Sequence, residues 1–260
     1  MKKINQTFSL KQLPSAFESR PEFCEPFIAG RQAGRLIYDL GVMLSLMDFE
    51  KLSEPVLDFG AGTGWISEFV VRSGFQTVSF DIHNNLEDLL NTRADIDKRV
   101  DRNNLSYAHG DGHNMPFDAN CFGHILVYDT LHHMHDYGKF FEEFHRVLRP
   151  GGLGIFVEPG ARHSKSPETI AFVEAQKKHD PDWIERDVVL EEIDRIAKNV
   201  GFAEGLYIVP VQHPSALDDY NLDQFHQLQN NGGIERDKYC NKLFANCYWE
   251  RTVFFVKKGL

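Results

Sequence analysis

From residue 55 to residue 158 the chain keeps one rhythm. Short β-branched or aromatic runs (PVLDFG, QTVSFD, NLSYAHGD, GHILVYD, GLGIFVEP) alternate with helical material such as ISEFVVRS, LEDLLNTRADIDKRV and FFEEFHRVLRPGG. Alternating strand and helix is the signature of a parallel sheet wrapped by helices on both sides. Strands buried on both faces read as continuous apolar runs, which is the character of ILVY and IFV. GLYIVPVQ and RTVFFVKKG are two further strands, making seven in all. The helix RDVVLEEIDRIAKNVGF precedes them and ends at Gly201, the position expected of a left-handed cap. The expectation is an α/β fold with a doubly wound, mostly parallel sheet.

The flanks behave differently. RQAGRLIYDLGVMLSLMDF spaces Leu36, Ile37, Leu40, Met43, Leu44 and Met47 at helical intervals, and Phe17, Phe23 and Phe27 lie upstream among prolines. This reads as an N-terminal helical cap over residues 1–50. The cofactor-binding core follows at 51–213, then a polar insertion at 214–247 with Asn230-Asn231-Gly232-Gly233 marking a turn, then a final strand at 248–260. With no internal repeat and no linker rich enough to divide it, the whole of 1–260 reads as a single domain.

Net charge and cysteine usage narrow the function. A formal charge of -10 argues against nucleic acid as a partner. Cys24, Cys121, Cys240 and Cys247 are scattered without a C-x-x-C pair, the pattern of reduced thiols in a cytoplasmic protein. MKKINQTFSL lacks the apolar run of a secretory signal, and no stretch approaches the roughly 20 apolar residues of a membrane span.

The chemistry concentrates in VLDFGAGTGWISEFV, residues 56–70, where Gly60, Gly62 and Gly64 follow Asp58 and Phe59. A glycine-rich turn from strand to helix usually cradles phosphate. Here the third glycine of the dinucleotide pattern G-x-G-x-x-G is replaced by Trp65, and Asp58 would repel a pyrophosphate. A ligand carrying an ammonium and a sulfonium, with one carboxylate for the helix amides, removes both objections. S-adenosylmethionine is such a ligand.

D-F-G-A-G-T-G resembles the first motif of the class I S-adenosylmethionine-dependent methyltransferases, of the type 11-like kind, and the later motifs arrive in order. Asp81 and Ile82 end the second strand about twenty residues on, where an acid accepts the ribose hydroxyls. The resemblance places Asp111 near the adenine amino group, with Gly112 making room for the ring. FGHILVYDTLHHM is similar to the fourth-strand motif, which brings Tyr128, Asp129 and Thr130 to the ligand edge, and EEFHRVLRPGGLGIFVEP is similar to the helix and fifth strand behind it. One departure is Phe122-Gly123-His124, where the family usually has Phe-Asp. The resemblance implies a Rossmann-like seven-stranded fold. It also implies S-adenosylmethionine as cofactor and a small-molecule or glycan acceptor, the tail after the fifth strand being similar to methyltransferases of bacterial glycan assembly.

His132, His133 and His135 crowd the loop after the fourth strand, while Glu158 ends the fifth and His163 follows it. Three histidines so close in sequence make a poor metal site without a placed carboxylate or thiolate, so no metal is expected. His133, His163 and His132 are the candidates to take a proton from an acceptor hydroxyl, a task suited to a group titrating near neutrality. Arg162, His163 and Lys165 make their loop locally basic, as an anionic acceptor would favour. The cap and the insertion carry aromatic and aliphatic residues that equally suit an aromatic or quinone-like acceptor. Two other classes stay open: a protein that binds S-adenosylmethionine without transferring its methyl, and a nicotinamide-dependent oxidoreductase.

Overall fold

The computed structural model describes residues 25–27, 30–210, 221–230 and 233–260. Phe17, Phe23, Cys24, part of the 214–247 segment and the Asn231-Gly232 turn lie outside the described residues.

The strands are β1 (Val56–Phe59), β2 (Thr77–Asp81), β3 (Leu105–His109), β4 (Phe122–Tyr128), β5 (Leu148–Pro159), β6 (Tyr207–Ile208) and β7 (Arg251–Lys257). They form one sheet in the order β3-β2-β1-β4-β5-β7-β6. The first five are parallel, whereas β7 runs antiparallel between β5 and β6. The helices are α1 (Gly30–Leu46), α2 (Trp65–Arg72), α3 (Leu86–Ile96), α4 (Tyr137–Val147), α5 (Pro167–Gln176), α6 (Leu190–Val200), α7 (Leu222–Asn230) and α8 (Ile234–Trp249).

Burial follows position in the sheet. Every residue of β1 and β4 is buried, as strands with neighbours and helices on all sides must be, while the edge strand β3 is largely exposed. One core face packs Phe140, Phe141, Phe144, Phe156, Phe202 and Phe254. The other buries Leu36, Leu40 and Met43 of α1, with Met47 just beyond its end, against Val56, Ile66, Leu126 and Ile155. Ile37 is the member of the expected α1 stripe that leaves the core, being 44% exposed. Gly201 does end α6 in the left-handed region, with φ +115.

Three stretches depart from the pattern reading. α5 was not legible as a core helix because its large apolar residues Ile170 and Phe172 face solvent; it starts on a Ser166 cap with Pro167 behind it. GLYIVPVQ contributes only two residues of strand. The polar segment before β7 holds α7 and α8.

Phe122-Gly123-His124 has a packing explanation. A Cβ on Gly123 would lie 2.2 Å from the Glu54 carboxylate. His124 is buried, and its Nε2 accepts the Asp48 N–H at 3.0 Å, with burial holding its pKa down.

Candidate active site

Leaving β1, the chain turns through Gly60, Gly62 and Gly64 with φ of +71, +54 and +74, a region that side-chain-bearing residues rarely adopt. Gly60 is also required by space, since a Cβ there would stand 2.2 Å from the Thr130 side chain. The Gly62 N–H donates to Asp81 Oδ2 at 2.8 Å, and the other Asp81 oxygen accepts from His83 N at 2.9 Å. Asp81 thus pins the glycine turn to the end of β2. Each of its oxygens has further accepting capacity for a ligand hydroxyl.

Asp58 has a different place from the one its sequence position implied. It is 1% exposed, and its Oδ2 accepts from Ser67 N at 3.0 Å and Ser67 Oγ at 2.6 Å. It therefore satisfies one of the free N–H groups in the first turn of α2 and borders neither cavity described below. Burial raises its pKa to about 6 against the Ser67 hydrogen bonds that lower it.

The glycine turn separates two cavities that share Gly60, Gly62, Asp129 and Thr130. The first, about 350 Å³, is lined by Glu25, Arg35, Trp65 and Tyr128 among others. The second, about 400 Å³, gathers Phe59, Asp81, Ile82, Asp111, Gly112, His133, Met134, Trp183 and Ile184. Gly112 is fixed by close approach, because a Cβ would meet the Phe59 ring at 2.4 Å. Asp111 accepts from His113 N and Nδ1, which lowers its pKa. Trp65 both packs edge-on against Tyr128 and borders the first cavity.

The three candidate histidines fall into unlike surroundings. His132, 5% exposed, reaches Glu158 Oε2 through Nδ1 at 2.8 Å and Glu185 Oε2 through Nε2 at 3.1 Å. Burial alone would lower its pKa, but the hydrogen bonds to the two carboxylates outweigh that and raise it to about 10. His133 lines the second cavity and donates from Nδ1 to the Ile184 carbonyl at 2.9 Å. Burial, and then the neighbouring His132 charge, lower its pKa. His163 borders neither cavity; its Nε2 reaches Glu185 Oε2 at 2.8 Å and its Nδ1 lies 3.3 Å from Thr169 Oγ1. Its expected place beside an acceptor is not where the chain puts it.

Glu158 organises this loop. Fully buried, it accepts from the backbone N–H of Thr130 and Leu131 at 2.9 and 2.8 Å through Oε1, and from His132 through Oε2. Asp129 sits at φ +45 and is paired with Arg251 at 2.5 Å and Arg35 at 3.6 Å. Burial works to raise its pKa, and the two guanidiniums win and lower it. Arg251 also donates to Asp39 of α1 at 3.0 Å, an acid that accepts from Tyr128 as well.

A family profile described as a methyltransferase domain matches residues 57–156, which run from β1 into β5 and include the glycine turn, Asp81, Asp111 and the histidine loop. Residues 57–156 thus match the methyltransferase-domain family. Curated relatives include demethylmenaquinone methyltransferases of Staphylococcus epidermidis, 32% identical over 45% of this chain and 47% of the relative, and of Clavibacter sepedonicus, 30% identical over 40% and 41%. The chain thus spans about half the length of these relatives. Among solved structures, a phosphoethanolamine N-methyltransferase 2 of Haemonchus contortus in complex with S-adenosylmethionine shares the fold, with a TM-score of 0.59 at 19% identity over 94% of this chain and 56% of that one.

Within this methyltransferase fold, several residues at the site carry no sequence signal. Glu185 and Trp183 come from the irregular stretch between α5 and α6, and Arg251 opens the last strand. WIERD matches no motif, so only the folded chain brings it to the histidine loop. The basic loop after β5 is engaged within the chain: Lys165 lies 3.8 Å from Asp187, His163 pairs with Glu185, and Arg162 stacks over Trp249 at 4.3 Å. Among the described residues, Cys121, Cys240 and Cys247 form no disulfide. No helix among the described residues is long and apolar enough to cross a membrane.

Proposed function

We propose that this chain transfers the methyl group of S-adenosylmethionine to a hydroxylated flat ring, with His133 receiving the hydroxyl proton. The observation that carries the proposal is the state of His133 on the wall of the second cavity. Because the Ile184 carbonyl can only accept, the ring proton resides on Nδ1 and Nε2 keeps its lone pair. That is the form a proton acceptor needs, and His133 lines the cavity that also holds Asp81 and Asp111.

The cofactor supplies a methyl group on a cationic sulfur, which leaves as a neutral thioether. The chain's own part is alignment and proton removal. Asp81 accepts the ribose hydroxyls, and Asp111 with Gly112 borders the adenine. The first cavity, beside the α2 N-terminus, holds the amino-acid end. His133 Nε2 takes the proton as the acceptor oxygen forms its bond to carbon. A ring carbon conjugated with that oxygen is the alternative nucleophile made by the same deprotonation. Trp183, Ile184 and Met134 flank His133 and offer a flat apolar wall, which favours an aromatic or quinol-like acceptor over a glycan. The names of the Staphylococcus and Clavibacter relatives point to the same class of acceptor. Asp58 acts at one remove, by fixing the α2 N-terminus rather than touching the ligand.

Calorimetry with S-adenosylmethionine, adenosylhomocysteine and NADH, followed by mass spectrometry of a quinol and sugar acceptor panel, tests the reading. Binding of the first two and methylation of a quinol are expected. NADH binding in their place would overturn the cofactor, methylated sugars alone would overturn the acceptor class, and tight cofactor binding with no product would favour a binding protein. His133→Ala should lower kcat about 100-fold while leaving the S-adenosylmethionine Kd unchanged; full turnover would remove the proton-accepting role.

A further inference from the structure

Behind the wall that carries His133 lies a group of side chains the methyl-transfer reading does not use. One ring nitrogen of His132, one of His163 and a Glu185 carboxylate oxygen all lie within 4.8 Å of one another. Glu185 Oε2 stands 3.1 Å from His132 Nε2 and 2.8 Å from His163 Nε2. Nitrogen and oxygen ligands about 2.1 Å from one metal ion are roughly 3 to 3.4 Å apart, so both glutamate–imidazole separations already lie near that span, and the two imidazole nitrogens, which lie within 4.8 Å of each other, must come within it on binding. The ligand set comes from three segments: the loop after β4, the loop after β5, and the stretch leading to α6. It is not the His-His-x-His cluster that the sequence displays.

We infer that His132, His163 and Glu185 form a binding site for a first-row divalent cation of the zinc or ferrous class. Two imidazoles and one carboxylate are the donor set those ions prefer, with remaining positions for water. What distinguishes the group from a chance ion pair is its outer ring of partners. Glu158 Oε2 holds His132 Nδ1 at 2.8 Å, and Glu158 is itself pinned by two backbone N–H groups. Thr169 Oγ1 lies 3.3 Å from His163 Nδ1. Trp183 Nε1 donates to Glu185 Oε1 at 3.0 Å, leaving Oε2 for the centre. Each ligand is thus oriented through its other polar atom, the arrangement that metal-binding histidines and carboxylates require. The ion would replace the proton shared between His132 Nε2 and Glu185, releasing it to solvent.

The site borders neither cavity of the glycine turn, so the ion would staple rather than react. It would tie the segment carrying Trp183 and Ile184 to the ends of β4 and β5, fixing the wall on which His133 sits. This inference does not depend on the methyl acceptor.

Chelator-treated, tag-free protein titrated with Co2+ and with Zn2+ provides the test, read by visible absorption, by elemental analysis after gel filtration, and by thermal melting. One equivalent per chain is expected, with d–d bands for Co2+ and a raised Tm with Zn2+. His163→Ala and Glu185→Gln should abolish the stoichiometric uptake, whereas His226→Ala on the exposed face of α7 should retain it. Substoichiometric uptake by the wild type would overturn the inference, as would uptake that Glu185→Gln leaves intact. Should either variant fail to fold, an anomalous difference map from wild-type crystals grown with Zn2+ decides. A peak at bonding distance from His163 Nε2 supports the site, and a peak elsewhere, or none, refutes it.

Discussion

The turn after β1 and the turn after β4 leave neighbouring strands side by side, and they are built in opposite ways. The first is shaped by what is missing: three glycines at positive φ, two of which would drive an added carbon into a neighbouring side chain. The second is shaped by what is present, with a buried glutamate gripping two backbone amides and an imidazole. Main-chain geometry tolerates little exchange of residue type, whereas a side-chain clamp can be assembled from anywhere the fold brings an acid. The comparison teaches why one turn is a recognisable motif and the other is not.

Gly60→Ala attacks the first turn at its least tolerant point. The new methyl would strike Thr130 and the backbone would hold a strained φ costing roughly 1 to 3 kcal/mol. S-adenosylmethionine binding should weaken more than about 100-fold, equivalent to about 2.7 kcal/mol, as measured by calorimetry. Retained affinity would mean the turn is more plastic than its conformation indicates. Glu158→Ala attacks the second turn. It strands two backbone N–H groups and removes one of the two carboxylates that hold the buried His132, so urea denaturation should report a loss of about 3 kcal/mol. A loss below about 1 kcal/mol would show that the loop holds without its clamp.

Asp58 sharpens the contrast, being a side-chain clamp hidden inside the glycine motif. Its folded pKa of about 6 lies above the 3.8 of the free side chain. The folded state therefore binds more protons in that window, and the cost of the buried charge, full above pH 6, disappears as pH falls through it. Relative to Asp58→Asn, the wild type should gain about 1.4 kcal/mol for each pH unit lowered between those values. Parallel denaturation series at pH 7, 5 and 4, as rough settings, check this; a constant difference would contradict it. Lys165→Ala is the smallest expected effect. Its partner Asp187 is 3.8 Å away at the surface, so stability should move by less than about 0.5 kcal/mol and kcat not at all. A clear fall in kcat would restore a role for the basic loop.

The same contrast explains what was legible. Alternating runs announced the parallel sheet because β1 and β4 are enclosed on all sides and admit no polar face. The glycines and Asp81 could be read from spacing because one short turn and the end of the next strand contain them. The fates of His132 and His133 could not. Adjacent in sequence, they differ only through Glu158, Glu185 and the Ile184 carbonyl, contributed by distant segments. Asp58 was misplaced for a related reason. Its partner Ser67 lies in the helix that the glycine turn launches, and spacing does not reveal that the carboxylate points beneath the turn. α5 and the helices before β7 escaped notice because their exposed apolar residues blur the periodicity that marks a core-facing helix.

The antiparallel strand β7 lies inside the sheet, between β5 and β6, and its first residue, Arg251, joins Asp129 to Asp39 of α1. During synthesis, every strand of the ligand edge emerges from the ribosome before that arginine does. A nascent chain can assemble the glycine turn and the parallel strands, yet Asp129 has no full counter-charge until β7 slots into its gap. The charge balance of the turn after β4 therefore rests on a residue 122 positions further along the chain, and that turn is electrostatically complete only once β7 has docked.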